Sequence, residues 1–466
     1  MRLTRLVFVC ALLALVAPLS TLAAERMWVG FQDDPSFRWR QDRAAVLDEA
    51  AEANATVIRT TAYWSRVAPR RPANASNPFD SAYRWDDVDE LVRTAQRRGM
   101  ETYITIWGTP DWANRGKGPN HAPDSLNDLT SFCRALATRY NGKSPGYPFV
   151  HFYGVWNEPN LEQFLAPTFD KKGKPVSPTT YAKLYRAAYT GLKSGSPTAQ
   201  VAVGETSPRG RDKPSPGIVQ DSIAPATFAR LLSLQRPQVK FDAWAQHPYS
   251  VLGQGPLQNA RYPNVHLTQL PQFEKDLTKW YKKPVELWIS EYGFETKPGE
   301  PHGVTMAQQA AYAQQTINLL RQAPFVRMFI WFILRDDPTS TWQSGLENRD
   351  GTRKPAYATF AASAKPVDAR NPIVKAKVGV APVVRIPVLE LAARDGAGAT
   401  VGANVKVYGP NSAFYGTNQM QGVIGNDGWA SFQFPSNGTK RVYYLYFDIN
   451  DKNGNTLTRS ATLVIG

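Results

Sequence analysis

Apolar and polar positions follow two alternating patterns along most of the chain. Short runs rich in apolar and β-branched residues, such as those at 55–60, 101–107 and 199–204, are each followed by a longer stretch with apolar residues at helical spacing. Continuous apolar runs are typical of parallel strands that are buried on both faces. Eight such strand-then-helix units between residues 27 and 362 predict an α/β fold, a (β/α)8 TIM barrel, rather than an open sheet.

The pattern changes after residue 363. Residues 365–373 include Pro366 and Pro372 and predict a linker, and the rest of the chain is rich in short apolar runs separated by turn sequences such as Asn453-Gly454. These features predict a small all-β domain, an Ig-like sandwich, over residues 374–466. We expect it to be an accessory domain that follows a barrel at residues 25–364.

The first residues have the features of an export signal. Arg2 and Arg5 precede an apolar run at 6–17, and Thr21-Leu22-Ala23 fits a small-residue cleavage site. We therefore expect residues 1–24 to be a signal peptide and the mature protein to be secreted and extracellular. The apolar run is too short for a membrane span, and no other stretch approaches the required length. Cys133 is then the single cysteine of the mature chain, which excludes an internal disulfide and favours a buried thiol.

The chain carries a formal net charge of +15. A basic exported protein could bind anionic cell-wall polymers or act on an acidic glycan. The alternative is an arginine-rich composition spread evenly over the surface, which favours no particular partner. No lysine–arginine block or basic–aromatic motif indicates nucleic acid as a partner, and we expect a monomer.

Two of the predicted strands lead directly into a glutamate. The fourth, at 149–155, is followed by Trp156-Asn157-Glu158-Pro159, and the seventh, at 285–290, is followed by Glu291. The interval between the two glutamates leaves room for three strand–helix repeats of roughly 40 residues. Strands four and seven lie on opposite sides of an eight-stranded barrel, and chemistry in such barrels is located where the strands end. We therefore expect Glu158 and Glu291 to face each other across the mouth of the barrel.

This arrangement resembles the retaining glycoside hydrolases of clan A, in particular family 39 and family 5-like members, over about residues 27–362. The resemblance implies hydrolysis of O-glycosidic bonds in an oligo- or polysaccharide by double displacement, without a metal or a cofactor. It makes Glu158 the acid/base and Glu291 the nucleophile, two groups that must come within about 5 to 5.5 Å of each other. Asn157 would bind the sugar 2-hydroxyl, although a side chain that caps the loop backbone would also explain it.

Polar residues at other strand ends fit the same site. Arg59 ends the second strand, and a buried guanidinium beside Glu291 would keep that carboxylate ionised. His247 and Tyr249 follow the sixth strand, where similar family 5-like enzymes use a histidine to contact the acid/base and a tyrosine to bond the nucleophile. An isolated histidine is otherwise more often a structural residue.

Aromatic residues at strand ends predict a surface for sugar rings. Trp331 ends the eighth strand, where clan members place an aromatic floor under the sugar, and Trp107 ends the third. Each tryptophan alone is equally well explained by packing, but together they favour an extended groove and a carbohydrate substrate of several sugar units. Glu205, a third carboxylate at a strand end, is a further candidate for substrate binding.

One position departs from the family 5 pattern. The third strand ends in Trp107-Gly108-Thr109-Pro110, whereas family 5 cellulases usually have a histidine there. This departure favours the family 39 relatives and argues against cellulose as the substrate. Two other hypotheses stay open, namely a non-catalytic glycan- or cell-wall-binding protein and a transglycosidase that uses the same site. The intact pair of glutamates argues against the first, and the sequence does not separate the second from hydrolysis.

Overall fold

The computed structural model describes residues 27–98, 100–143, 147, 149–215, 220–338, 342–364, 373–388, 391, 395–408, 414–426, 429–436, 438–454 and 456–466. The predicted signal peptide and all but the last residue of the predicted linker lie outside these ranges. Both therefore stay predictions, as do the domain boundaries that depend on them.

Eight parallel strands form a closed barrel in the order of the chain, as predicted for a TIM barrel. The strands are β1 (Trp28–Gln32), β2 (Val57–Tyr63), β3 (Glu101–Trp107), β4 (Phe152–Val155), β5 (Gln200–Thr206), β6 (Ala243–Gln246), β7 (Leu287–Tyr292) and β8 (Val326–Phe332). Nearly every residue of β1 to β4 is buried, which explains why the strands appear in the sequence as continuous apolar runs.

Helices connect the strands and cover the outside of the barrel. They are α1 (Arg43–Glu52), α2 (Trp64–Val67), α3 (Asp86–Arg97), α4 (Asp111–Asn114), α5 (Leu126–Arg139), α6 (Ser177–Gly195), α7 (Pro225–Ser233), α8 (Leu270–Tyr281), α9 (Met306–Arg321) and α10 (Pro355–Ser363). The start of α9 shows how local sequence sets a boundary, because the side chains of Thr305 and Gln308 each accept a hydrogen bond from the other's backbone N–H. No helix in the described part of the chain is both long and apolar enough to cross a membrane.

The barrel has an inner and an outer core. Large side chains that point inward, including Trp28, Tyr103, Phe152 and Trp288, fill the interior below the mouth. The outward-pointing strand residues pack against the helices in a second, larger cluster, which contains the buried thiol of Cys133. Because the interior is filled, a ligand can enter only at the ends of the strands, where the polar side chains are.

The C-terminal residues form one mixed sheet of seven strands. These are β9 (Ile373–Ala376), β10 (Val383–Pro387), β11 (Thr400–Tyr408), β12 (Phe414–Ile424), β13 (Trp429–Gln433), β14 (Arg441–Asn450) and β15 (Thr456–Ile465). Their order is β10-β13-β12-β11-β14-β15-β9, with β9 parallel to β15. The all-β prediction is confirmed, but the Ig-like arrangement is not, because the strands pair within a single sheet around their own core. The first residue of β9, Ile373, belongs to the predicted linker.

The C-terminal sheet contacts the barrel away from its mouth. Phe149, which precedes β4, packs on Tyr446 of β14, and Thr462 Oγ1 of β15 donates to the Gln96 carbonyl near the end of α3, at 3.4 Å. Both barrel residues lie at the face where the strands begin. The opposite face, with Glu158 and Glu291, is therefore not covered by these contacts.

Candidate active site

The two predicted glutamates meet at the mouth of the barrel. Glu158 follows β4, Glu291 lies near the end of β7, and His247 follows β6. One carboxylate oxygen of each glutamate and one ring nitrogen of His247 all lie within 4.8 Å of one another. The glutamate side chains are 14% and 13% exposed, so both carboxylates are accessible from the mouth while most of their surface is removed from water.

An unusual backbone conformation places Glu158. Trp156 and Glu158 both have positive φ angles, 72° and 37°, which are uncommon for residues other than glycine and cost free energy. Hydrogen bonds offset this cost: the Trp156 indole donates to the Phe164 carbonyl at 2.6 Å, and the Glu158 N–H donates to the Glu205 carbonyl at 2.8 Å. The turn therefore aims the Glu158 side chain into the mouth.

Three donors surround the carboxylate of Glu291. Arg59 Nη1 donates to Oε1 at 2.6 Å, Tyr249 donates its hydroxyl hydrogen to Oε2 at 3.3 Å, and His247 Nδ1 lies 3.6 Å from Oε2. The contact with Arg59 is a charge-assisted hydrogen bond, which is stronger than a hydrogen bond between neutral groups and fixes the orientation of the carboxylate. The structure thus brings Arg59, Tyr249 and His247 together around Glu291.

Glu158 has a different environment. Burial raises the pKa of its carboxyl and the nearby charge of Glu291 raises it further, while the hydrogen bond from His247 Nδ1, at 3.0 Å, partly lowers it. The net direction is upward. Glu158 therefore retains its proton to higher pH than an ordinary glutamate, which a general acid requires.

His247 is held in its charged form. Burial lowers the pKa of the imidazole, but Glu291, Glu158 and Glu205 together raise it more, to about 9. At neutral pH both ring nitrogens consequently carry hydrogen, Nδ1 facing Glu158 and Nε2 facing Glu205 at 3.3 Å. His247, Glu158 and Glu291 are close enough to hold a metal ion, and such an ion would compete with the proton for the ring nitrogen of His247.

Glu205 corrects one of the predictions. Its side chain is completely buried at the end of β5, so it presents no surface to a substrate. It accepts hydrogen bonds from Arg59 Nη2 at 2.6 Å and from Ser290 at 3.3 Å, and also from the Tyr103 hydroxyl. Glycine is required at position 154 on β4, because a Cβ there would overlap the Glu205 carboxylate. Glu205 is therefore a positioning residue rather than a substrate-binding one.

The charges of the site balance without Glu158. Burial would raise the pKa of Glu205, but Arg59, His247 and Tyr103 outweigh it and hold the pKa below its usual range. Two cations, Arg59 and His247, then face two carboxylates, Glu205 and Glu291. Because buried charges are stable when they are paired, this arrangement is consistent with the raised pKa of the Glu158 carboxyl.

Trp331 also differs from the prediction. Its side chain is fully buried on the outer face of β8, where it packs against Phe294, Phe329 and Phe360 and donates its indole hydrogen to the Ser344 carbonyl at 2.9 Å. It cannot form an aromatic floor under a sugar. The next residue, Phe332, has the inward parity of Met328 and Ile330 and packs against Trp342, which in turn contacts Tyr249. Phe332 and Trp342 supply the aromatic wall of the mouth instead.

The remaining predicted residues lie at the mouth. Asn157 is half-buried, and its Oδ1 accepts a hydrogen bond from Arg59 Nη2 at 3.4 Å. Trp107 is half-buried at the end of β3, and its indole donates to the Phe164 carbonyl at 3.3 Å. Their contacts with a substrate stay predictions.

Sequence reasoning missed several residues of the site. Tyr103, Ser290 and Phe332 were not proposed, although each lies on the inward face of its strand. A signal was present in the period of two along each strand, which puts Tyr103 on the same face as Trp107 and separates Phe332 from Trp331. Choosing residues by parity rather than by chemical type would have identified them.

Comparison with known proteins agrees with this architecture. The chain is similar to a family 39 glycoside hydrolase from Bacteroides cellulosilyticus, with 16% identity and a TM-score of 0.52 over 88% of this chain and 82% of that one. It is similar to a glucosidase from Croceicoccus marinus, with 14% identity, a TM-score of 0.55 and coverage of 88% and 96%. A family 5 subfamily 18 protein from Streptomyces cattleya in complex with GlcNAc has 16% identity, a TM-score of 0.52 and coverage of 77% and 86%.

These structural likenesses establish the fold. Among curated sequences, no protein matches the chain. A family model described as cellulase, glycosyl hydrolase family 5, matches residues 22–334, which include all eight strands of the barrel and both glutamates at its mouth. Because this match covers most of the chain and agrees with the closed barrel and its paired glutamates, the chain belongs to glycosyl hydrolase family 5 and is a glycosidase.

Proposed function

We propose that this glycosidase is a secreted, retaining enzyme that cleaves O-glycosidic bonds of an oligo- or polysaccharide by double displacement. The observation that carries the proposal is the separation of Glu158 and Glu291, whose nearest carboxylate oxygens are at most 4.8 Å apart. Retaining enzymes hold their two carboxyl groups about 5 to 5.5 Å apart, whereas inverting enzymes need about 6.5 to 9.5 Å to admit a water molecule. The spacing supports direct attack by one carboxylate.

In the first step Glu158 donates its proton to the departing glycosidic oxygen while a Glu291 oxygen attacks the anomeric carbon. The bond to the leaving group breaks, and an ester between the sugar and Glu291 forms. Glu291 is suited to the attack because Arg59 and Tyr249 hold it in place. Glu158 is suited to proton transfer because burial raises the pKa of its carboxyl.

In the second step Glu158, now ionised, removes a proton from water. The resulting hydroxide-like oxygen attacks the anomeric carbon, the ester to Glu291 breaks, and both glutamates return to their starting states. The charged His247 donates to Glu158 at 3.0 Å and thereby stabilises it while it is ionised. Two displacements at the same carbon leave the anomeric configuration unchanged.

Export is supported by the sequence of residues 1–24, which has a basic start, an apolar run and a cleavage site. An exported glycosidase encounters extracellular glycans. The partly exposed rings of Trp107 and Trp342 beside the mouth support a substrate of more than one sugar unit.

Activity on a panel of 4-nitrophenyl glycosides and polysaccharides, read by release of nitrophenol and reducing ends, tests the proposal. Glu158→Gln and Glu291→Gln should each lower turnover by several orders of magnitude, since each removes one half of the mechanism. Glu162→Gln is a matched control on the same loop, where the carboxylate accepts a backbone hydrogen bond from Asp221 at 3.1 Å and lies outside the site. Full activity of Glu291→Gln would contradict the assignment.

The role of Glu291 as nucleophile has its own test. In Glu291→Ala, azide can occupy the vacated space and attack the anomeric carbon, while Glu158 still protonates the leaving group. Because a single displacement inverts the configuration, the product should be a glycosyl azide of the opposite anomeric form. In Glu158→Ala, azide should instead attack the ester to Glu291 and give a glycosyl azide of retained configuration. An inverted azide product from Glu158→Ala and a retained one from Glu291→Ala would exchange the two roles.

A further inference from the structure

A line of partly exposed aromatic rings crosses the mouth on its β1 to β4 side. The ring centroids of Trp39 and Tyr63 are 6.4 Å apart, those of Tyr63 and Trp107 are 6.1 Å apart, and those of Trp107 and Phe164 are 5.8 Å apart. We call these four residues the rim strip. Tyr63 and Trp107 are paired in register at the ends of β2 and β3, so the barrel itself fixes the middle of the strip.

The outer end of the rim strip is open to solvent. Trp39 is 45% exposed, a large fraction for a side chain that is usually well buried. Its indole is held in place by a hydrogen bond to Asp87 at 3.3 Å. An ordered, exposed aromatic surface beside an active site favours ligand contact over packing.

Arg66 rests on this surface. It lies in α2, directly after β2, and its guanidinium carbon is 4.8 Å from the ring centroid of Tyr63 and 5.1 Å from that of Trp39. The side chain is exposed. Among the residues that the structure describes, no carboxylate lies within ion-pair distance of Arg66, and its N–H groups donate no hydrogen bond to protein. The guanidinium is oriented by two rings, and its donors are free for a ligand.

Neighbouring arginines on the same side of the barrel are different. Arg38 pairs with Asp87 at 2.6 Å and with Asp34 at 3.4 Å, so those two carboxylates are already neutralised. Arg71 stacks on Trp112 at 4.5 Å in the same way as Arg66 stacks on its rings, but it pairs with Asp128 at 2.9 Å. Arg66 is therefore a cation placed on an aromatic surface without a carboxylate of its own.

The position of the rim strip relates it to the reacting centre. Arg59, which bonds Glu291, and Tyr63 are four residues apart on β2, about 13 Å at roughly 3.3 Å per residue. Trp107 lies two residues beyond Thr105 on the inward face of β3, and Thr105 accepts a hydrogen bond from Arg59 at 3.0 Å. The strip thus begins above the catalytic residues and leads away from them.

We propose that the rim strip and Arg66 form a glycan subsite that binds an acidic sugar, with the sugar ring on the aromatic side chains and its carboxylate on Arg66. The inference rests on the proposed glycosidase function and adds the substrate class, a glycan that contains uronate residues. A guanidinium can bind a carboxylate through two parallel hydrogen bonds, and a pyranose presents an apolar face to aromatic rings. Because Arg66 lies directly over Tyr63 and Trp39, a sugar ring on one of these side chains would have its own carboxylate, or that of the next sugar, beside the guanidinium.

The test is binding by the full-length chain, with Glu158→Gln present throughout so that no polymer is cut. The probes are glucuronoxylan and polygalacturonate, each compared with the same polymer after chemical reduction of its carboxyl groups. At least one native polymer should bind more tightly than its reduced form. Adding Arg66→Gln should weaken binding of that native polymer about tenfold, the effect expected for a charged hydrogen bond, and should change binding of the reduced polymer less than twofold.

Arg71→Gln is the matched control, because it removes the same charge from a stacked and exposed arginine that already has a carboxylate partner. It should leave both affinities unchanged, which separates a site at Arg66 from general attraction to a chain of charge +15. The proposal would be overturned if Arg66→Gln and Arg71→Gln lost affinity equally. It would also be overturned if native and reduced polymers bound equally well, or if none of the polymers bound. Stronger Arg66-dependent binding of dextran sulfate than of either uronate polymer would overturn the choice of a carboxylate.

The outcome is separable from that of the proposed function. Hydrolysis of 4-nitrophenyl glycosides by the native protein, combined with no preference for carboxylated polymers, would remove the subsite and keep the glycosidase mechanism. Arg66-dependent binding in a protein that hydrolyses nothing would support the subsite and remove the mechanism.

Discussion

Glu205→Gln tests how the buried charges control the site. The substitution keeps the size of the side chain but removes the negative charge that Arg59 and His247 share. His247 Nε2 lies 3.3 Å from Glu205 Oε2, and its Nδ1 lies 3.0 Å from Glu158. Arg59 keeps a second carboxylate, Glu291, at 2.6 Å. The histidine is therefore the group whose protonation should change.

The size of the change follows from the geometry. At 3.3 Å and an effective dielectric constant of about 20, the attraction between Glu205 and the imidazolium is about 5 kcal/mol. Since one pKa unit corresponds to about 1.36 kcal/mol, the pKa of His247 should fall by roughly 3 to 4 units from its value of about 9. The ring would then be neutral at pH 7, and loss of its charged hydrogen bonds should lower kcat/KM roughly 10- to 100-fold.

Nuclear magnetic resonance of protein labelled with ¹⁵N at histidine measures the protonation directly. The chain contains 5 histidines, so the spectrum is simple, and His247→Asn identifies the signal of interest. Ser290→Ala is a matched control because it removes a neutral donor to the same carboxylate, 3.3 Å away, without changing any charge. The His247 pKa should stay within about one unit of the native value in that variant. A His247 pKa that stays near 9 in folded Glu205→Gln would refute the reasoning.

Three further predictions concern the stability contribution of His247, the two faces of β8 and the C-terminal sheet. The pKa of His247 is raised from 6.5 to about 9, so its contribution to the free energy of unfolding, about 3 kcal/mol, should be present below pH 6.5 and lost as pH rises through 9. Phe332→Ala should lower kcat/KM for oligosaccharides by weakening ring contacts, whereas Trp331→Phe should lower the melting temperature and spare kcat/KM. A chain that ends at residue 366 should stay active, because the C-terminal sheet contacts the barrel away from its mouth.

Each of these has a measurement that can contradict it. Denaturant unfolding of the native protein and of His247→Asn should be measured between about pH 6 and pH 10. The free energy of unfolding should fall with rising pH in the native protein alone, and an equal dependence on pH in both proteins would contradict a contribution from His247. Equal kinetic losses in the Phe332 and Trp331 variants would remove the distinction between the two faces of β8. Aggregation or unfolding of the shortened chain would show that the sheet is part of the barrel's stability.

The barrel and its paired glutamates could be predicted because they depend on local patterns. Parallel strands buried on both faces produce apolar runs, and residues that follow such runs lie at one end of the barrel whatever the details of the connections. This is why the sequence indicates one end of the barrel for Glu158, Glu291, Arg59, His247 and Tyr249, which the structure brings together there.

The errors occurred where the orientation of a side chain depends on register and packing. Trp331 was chosen for its residue type, but it points outward and Phe332 points inward. Glu205 ends a strand like the two catalytic glutamates, yet Gly154 leaves the room that lets it turn into the interior between two cations. For Trp331 the period of two along β8 contains the signal, because it puts Trp331 on the face opposite Met328 and Ile330. For Glu205 the sequence contains no local signal, because its orientation depends on the space beside Gly154 on the neighbouring strand.

The C-terminal domain shows a second kind of limit. Strand β12 (Phe414–Ile424) is rich in polar residues and glycine and lacks the apolar alternation by which strands are recognised, so the sequence does not indicate it. Its partners β11 and β13 stabilise it through backbone hydrogen bonds instead. Because pairing between strands is not encoded in local pattern, the single mixed sheet could not be distinguished from an Ig-like sandwich.

The anomeric configuration of the first product tests the central claim most directly. The native protein, incubated with an active 4-nitrophenyl glycoside in deuterated water, would be followed by proton nuclear magnetic resonance before mutarotation equilibrates the sugar. Carboxylate oxygens of Glu158 and Glu291 lie within 4.8 Å of each other, so we expect Glu291 to attack the sugar directly. The released sugar should then first appear with the anomeric configuration of the substrate. First appearance of the opposite anomer would contradict the account, since it would require a water molecule where the two carboxylates leave no room.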